Sequence, residues 1–215
     1  LMHENIHKKT IHIVHPLKFK IITESKRKND KEDSKKLALG LLKDILPIPV
    51  HLKSERSRQL QMYLNLRKRM VATKTKIILQ TKSILRSRGI ECSGNFCSAS
   101  AFQKYIDILP LNDFDRTVLE GILQEFNYEK EKIREQDDKI KNMIQMDEEL
   151  KQKYENLLTI PGIGPVSAAK CLSVIDGIER FERADQLSAY FGLIPSENSS
   201  GDRVIHGPIT KEGIK

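Results

Sequence analysis

The chain has 215 residues, with 37 Lys+Arg against 29 Asp+Glu, 39% hydrophobic and 31% charged residues, 6% aromatic residues and no Trp. That suffices for one ordinary domain or two small ones, and apolar periodicity along most of the chain argues against wholesale disorder. No apolar run approaches the roughly 18 to 20 residues of a membrane span, and Leu1 to Asn5 offers no signal-peptide core, so a soluble, cytoplasmic protein is expected. Cys92, Cys97 and Cys171 are odd in number and form no CxxC pair, and are read as reduced thiols.

The net charge of +8 is unevenly placed. Residues 1–100 hold 22 Lys+Arg and 8 Asp+Glu, a balance of +14, whereas residues 101–215 hold 15 and 21, a balance of −6. A basic half of this size suits a polyanion surface, because neutralising phosphates releases condensed counterions. It also suits an ordinary lysine-rich solvated surface.

Ile11 to Val14 is a short β-branched run stopped by Pro16, and reads as a strand. With no clear partner, it resembles the last strand of a domain that begins elsewhere. Leu37, Leu39, Leu41, Leu42 and Ile45 then suggest a helix ending before Pro47. From Glu55 to Arg88 there is neither Pro nor Gly, and Leu60, Leu64, Met70, Ile77, Ile78, Ile84 and Leu85 recur at helical spacing, predicting one long helix or two abutting ones. Its remaining positions are heavily basic, among them Arg67, Lys68, Arg69, Lys74, Lys76 and Lys82, and no acidic residue falls between Glu55 and Glu91. A solvated helix face normally mixes signs, so polyanion contact is the preferred reading.

Ser93 to Ser100 reads as a loop or linker, followed by a short amphipathic piece that ends at Pro110. Phe114 to Leu158 carries a heptad-like seam through Leu119, Ile122, Phe126, Ile133, Ile140, Met143, Leu150, Tyr154 and Leu157, interrupted by Glu129, Gln136 and Asp147. Either a coiled coil with another segment or chain, or one long amphipathic helix inside a domain, would produce it.

Leu157 to Leu172 is the most informative stretch. A helix ends, Pro161-Gly162-Ile163-Gly164 turns the chain, and Pro165 stands where a new helix favours proline. Glycines there permit positive φ and close backbone approach, so amides at the start of the second helix can meet a phosphate oxygen. The pattern resembles the helix-hairpin-helix motif, although a purely structural αα turn would share it. Phe181, Leu187, Tyr190 and Phe191 support a further helix closed by Gly192. In the tail, Ser199 and Ser200 before Gly201 are either accessible nucleophiles or turn residues.

Taken in order, these segments resemble the insertion-sequence-one-ten family of transposases. Lys28-Asn29-Asp30-Lys31-Glu32-Asp33-Ser34-Lys35-Lys36-Leu37-Ala38 is similar to that family's Lys-Thr-Asp-x-x-Asp-Ala-x-x-Leu-Ala. Ile160 to Gly164, Phe191 to Pro195, Ser199-Ser200-Gly201, and Gly207-x-Ile209-Thr210-Lys211-x-Gly213 follow its C-terminal signature. The resemblance implies a mainly α chain: the remnant of an α/β ribonuclease-H-like (RuvC-type) Asp-Glu-Asp-Asp domain with a basic helix over 1–92, a linker over 93–112, a coiled coil over 113–156, and a C-terminal helix-hairpin-helix and serine domain over 157–215.

It further implies that Asp30 and Asp33 are catalytic carboxylates holding Mg²⁺, that Ser200, with Ser199 as the alternative, attacks a DNA phosphate, and that Gly162, Ile163 and Gly164 grip a nucleic-acid backbone. The implied partners are DNA, a structured guide RNA seated in part on the basic helix, and a second copy through the coiled coil. The family's first catalytic Asp and its Glu have no counterpart in the expected place, so the chain reads as truncated at both ends and inactive alone. Two rival readings are a non-catalytic nucleic-acid-binding module and a coiled-coil interaction protein.

Overall fold

The computed structural model describes residues 12–15, 18–19, 21, 29–47, 50–91, 98–197 and 206–209. The chain divides into two compact units, Leu1–Lys53 and Ser54–Lys215, and it is mainly helical.

In the first unit, α1 (Asp30–Leu42) starts where Asn29 caps it, the Asn29 side chain accepting from the Lys31 N–H at 3.0 Å. Asp30, Glu32 and Asp33 fill its first turn, where negative charge meets the positive end of the helix dipole. Gly40 is buried because Phe19 and Leu46 lie against it; a Cβ there would come within 2.8 Å of the Phe19 ring. The strand expected over Ile11 to Val14 is not formed in residues 12–15: the Val50 N–H donates to the Ile13 carbonyl at 2.7 Å and the Lys18 N–H to the His15 carbonyl at 2.9 Å, bonds that make no ladder. An isolated segment cannot satisfy a ladder of backbone groups. The described residues of this unit contain no sheet.

The second unit is built on two long helices, α2 (Glu55–Ser87) and α4 (Asp113–Gln145). They run antiparallel: Leu60 and Leu64 of α2 cluster with Ile140 and Ile144 of α4, while Ile77 and Leu85 cluster with Leu119, Leu123 and Phe126. The heptad seam of α4 is therefore covered by α2 of the same chain. The interruptions of the seam also have reasons. Gln136, 2% exposed, donates from Nε2 to the Tyr63 carbonyl at 3.2 Å, and beside it Asp137 receives the Arg67 guanidinium through Nε and Nη2. Glu129 holds Lys132 at 3.0 Å.

The third interruption breaks the helix. Where the sequence suggested helix from Phe114 through Leu158, α4 stops at Gln145 and α5 (Glu148–Leu158) begins, because the Asp147 side chain accepts from the Leu150 N–H at 2.9 Å and pairs with Arg56. The region expected as linker over 93–112 contains α3 (Ala99–Ile108), capped by Ser98, with Phe102 and Ile106 at 0% exposure in the core beside Phe126. The Phe102 and Phe126 rings meet edge to face at 5.9 Å. Two large apolar side chains four apart need a helix to reach one core, which draws this piece out of any linker.

Beyond α5 the chain forms α6 (Pro165–Ile175), a 3₁₀ turn (Ile178–Arg180), α7 (Ala184–Tyr190), and the antiparallel pair β1 (Pro195–Glu197) and β2 (His206–Ile209). The helix expected around Phe181 to Phe191 starts only at Ala184, with Phe181 closing the 3₁₀ turn. α6 carries small residues, Ala168 and Ala169 at 0% exposure, on its inner side, so its backbone packs closely where Leu60 and Leu64 lie.

Helix ends tie the unit together. Asp176, at φ 51° beyond α6, accepts from the Ser54 backbone N–H at 2.7 Å and from the Ser54 hydroxyl, and Ser54 caps α2. At the far end Asp115, 5% exposed, exchanges bonds with its own cap residue Asn112 (2.7 and 2.9 Å) and takes Arg88, which follows α2, at 2.7 Å. Replacing Asp115 with Ala leaves Asn112 and Arg88 without that acceptor, and is expected to lower stability by about 2 kcal/mol in urea unfolding. Asp113→Ala, at an exposed first-turn position, is expected to change it by less than about 0.5 kcal/mol.

Candidate nucleic-acid interface

α2 spends one face on the α4 seam and turns its remaining residues outward. Lys68, Arg69 and Lys76 are exposed and make no ion pair with a described residue. The acid at the start of α2, Glu55, is occupied by Arg58 at 2.6 Å. The other basic residues singled out from the sequence are differently placed. Arg67 is 22% exposed in its side chain and committed to Asp137. Lys74 is half-buried with its Nζ 6.0 Å from the Phe126 ring centre, and Lys82 is half-buried and engaged. The open cationic face is therefore narrower than the run of basic letters suggested.

α4 shows the contrast. Its outer face carries both signs, Arg134 pairing with Glu131 at 3.0 Å, and at the edge of the seam Lys132 reaches the largely buried Glu129 at 3.0 Å, a bond that raises the Lys132 pKa. A face of this kind has no net preference for a polyanion.

The turn between α5 and α6 has the form that its glycines require. Ile160 N–H reaches the Leu157 carbonyl at 3.2 Å, Ile163 N–H reaches the Ile160 carbonyl at 3.1 Å, and Gly162 sits at φ 89°. Gly164 is the cap of α6, with no side-chain cap bond, and Pro165 follows as its first residue. The first intrahelical bond runs from Ala168 N–H to the Gly164 carbonyl at 2.9 Å, so the Val166 and Ser167 amides precede the ladder. Gly162 and Gly164 are exposed, and nothing lies within 4 Å of where a Cβ would stand on either. Cys171, farther along α6, is a free thiol whose pKa burial pushes up. Between α5, α6 and the start of α2 lies an apolar cavity of about 490 Å³, floored by Leu150, Leu157, Leu172 and Ile175.

In the first unit, Asp30 is exposed on the first turn of α1 and Asp33 is half-buried three residues on. Asp33 Oδ1 is buried and accepts no hydrogen bond from a described residue, while the neighbouring Glu32 is taken by Lys35 at 3.0 Å. A buried carboxylate oxygen without a donor is the kind of atom that a hard divalent cation takes, and Asp30 stands three residues before it in the same first turn. Among the described residues no group of three or more metal-ligating side chains is assembled. Ser199 and Ser200 fall between β1 and β2 in sequence and lie outside the described residues, as do Cys92 and Cys97. Among the described residues no helix is long and apolar enough to cross a membrane.

Two features escaped the sequence reading. The Asp176 to Ser54 clamp joins residues far apart in the chain. Arg180, between the rings of Phe181 and Tyr190 at 4.3 and 4.1 Å, follows no periodic pattern.

Known proteins place this architecture. Residues 154–215, from the second half of α5 through the β pair, match the transposase IS116/IS110/IS902 family. The chain is 25% identical over 195 residues to the transposase for insertion sequence element IS1111A of Coxiella burnetii, covering 86% of this chain and 50% of that protein. It is also 25% identical over 189 residues to a Sinorhizobium fredii protein, y4pF/y4sB, assigned as a transposase, covering 86% and 47%. A Pseudomonas aeruginosa protein assigned to transposase family 20 is 33% identical over 61 residues, 28% of this chain and 18% of its own length. The C-terminal part of the chain is thus similar to insertion-sequence transposases. The chain spans about half the length of the curated relatives that match most of it.

The two turn glycines separate fold from ligand. Gly162→Ala forces a side chain into positive φ and is expected to cost about 1 to 2 kcal/mol in urea unfolding. Gly164→Ala, at φ −88° with open space, is expected to cost no more than about 0.5 kcal/mol.

Proposed function

We propose that this chain works in DNA transposition, holding nucleic-acid backbone on the outward face of α2 at Lys68, Arg69 and Lys76 and at the Gly162-Ile163-Gly164 turn. The observation that carries the reading is the one-signed, unpaired outer face of α2 in a chain whose C-terminal part matches a transposase family. Phosphates are met there by side-chain cations and at the turn by backbone amides, so contact is largely independent of base sequence. A structured guide RNA has the same backbone chemistry and is the second polyanion that this face would seat. A partner copy would meet the protein on a surface other than the α4 seam, which α2 occupies.

The chemistry proposed is cleavage and exchange of DNA strands. Ser200 Oγ, with Ser199 as the fallback, would lose its proton and attack a DNA phosphorus, displacing a sugar oxygen that leaves as the free hydroxyl of one strand end, while the other end stays joined to the serine as a phosphodiester. Asp30 and Asp33 would hold Mg²⁺, which supplies Lewis-acid stabilisation of charge on a phosphate oxygen. Asp33, with its unpaired buried oxygen, would be the firmer ligand, and Asp30 the solvent-facing one.

Fluorescence anisotropy with a labelled DNA duplex over a range of salt concentrations tests the binding. Lys68→Gln, Arg69→Gln and Lys76→Gln together are expected to flatten the plot of log affinity against log salt by about 0.9 for each phosphate contact removed. Arg134→Gln on α4 should leave it unchanged. A wild-type slope near zero, or a slope that the triple variant does not alter, would contradict the reading. Ser200→Ala should retain binding and lose any Mg²⁺-dependent covalent attachment to DNA.

A further inference from the structure

The two most exposed aromatic side chains among the described residues stand on one helix: Phe114 is 70% exposed and Tyr128 65%, both on α4. Gly121 lies midway between them in the sequence. Val118, 36% exposed, and Glu125 complete the run. Positions 114, 118, 121, 125 and 128 advance by alternating steps of four and three, so they share one side of the helix over about 21 Å. This stripe is distinct from the seam that α2 covers, whose members Leu119, Leu123 and Phe126 are buried.

Gly121 is the anomaly of the stripe. A glycine in an exposed helix interior is less favourable than alanine, and nothing lies within 4 Å of where its Cβ would stand. No contact within the chain therefore requires it. The missing side chain leaves a gap flanked by two exposed rings, a shape that lets the backbone of a second helix come close. Exposed apolar side chains gathered in this way mark an interaction surface.

We propose that this stripe is a self-association surface, crossed antiparallel by α4 of a second copy on a two-fold axis at Gly121. The pattern is close to a palindrome about that glycine, as a contact of a surface with itself requires. The axis sets Phe114 of one copy against the partner's Tyr128, and the same pair forms again on the other side of the axis. Charge favours this direction. Glu125 and Lys132 both lie on the C-terminal side of Gly121, so the axis carries each away from its own copy, whereas a parallel pairing would stack like on like. Opposed helix dipoles add to the preference. The contact gives the partner copy of the proposed function a place on the protein, but it rests on no nucleic acid and is tested without any.

Sedimentation velocity of the whole chain over a range of concentrations should show a reversible monomer–dimer equilibrium. Gly121→Leu puts a helix-favouring side chain into open space, so at a concentration where both proteins are monomeric its thermal midpoint should equal or exceed that of the wild type. Its dimer should be weaker by about tenfold or more. Phe114→Ser combined with Tyr128→Ser should weaken the dimer as much, while Met62→Ser, at a position 69% exposed on α2, should leave it unchanged. Mixing Phe114→Cys protein with Tyr128→Cys protein under mild oxidation should give a disulfide between positions 114 and 128, read by mass spectrometry. A chain that stays monomeric at every concentration overturns the inference and leaves the stripe to a different partner. Self-association that neither Gly121→Leu nor the double variant weakens overturns it as well, and links that join 114 to 114 and 128 to 128 rule out the antiparallel axis. Should Gly121→Leu fail to fold, the double variant decides.

Discussion

Everything in the second unit depends on the antiparallel seam between α2 and α4. Neither helix has an apolar stripe wide enough to fold alone, and each buries its stripe against the other at two clusters, one around Phe126 and one around Ile144. Between the clusters the Gln136 bond to the Tyr63 carbonyl and the Arg67 to Asp137 pair fix register, because sliding the helices by one turn would leave the buried amide without its acceptor and part the two charges. Both open ends are closed by carboxylates, Asp115 at one and Asp176 at the other. α3, α5 and α6 are then attached to the ends of this pair.

The seam also sorts the charge. A helix that must turn its apolar residues inward has no choice about where its cations go, and on α2 they go outward with almost no acid beside them. α4 meets the same geometric demand with mixed charge in which acids outnumber bases. The difference between the two outer faces is the electrostatic feature on which the proposed polyanion contact rests. The α5 to α6 turn brings another kind of donor, backbone amides, for which Gly162 at positive φ is the structural condition.

What was legible in the sequence follows from where its signal was local. The uninterrupted α2 and the Gly162 to Pro165 turn were readable because absence of breakers, glycine at positive φ and proline at a first helical position are local requirements. The break at Asp147 was not, since its cap depends on Arg56, distant in the chain, to fix the carboxylate. The partner of the α4 heptads was equally hidden: Leu119, Phe126, Ile140 and Ile144 announce that something covers them, and nothing in their spacing says that it is α2. Of the candidate site, Asp30 and Asp33 were correctly placed on one helical turn, but the unpaired oxygen of Asp33 needed coordinates. Arg67 stands out by letter as a phosphate ligand, and Asp137 removes it from that role.

The central claim, that nucleic acid lies along the outer face of α2 and not on α4, is tested most directly by lysine footprinting. Exposed amines would be acetylated in the free protein and in its complex with duplex DNA, and read by mass spectrometry. Lys68 and Lys76 on α2 should be protected in the complex, while Lys139 and Lys141, equally exposed on α4, should react as before. Equal protection of all four, or protection confined to Lys139 and Lys141, would contradict the account.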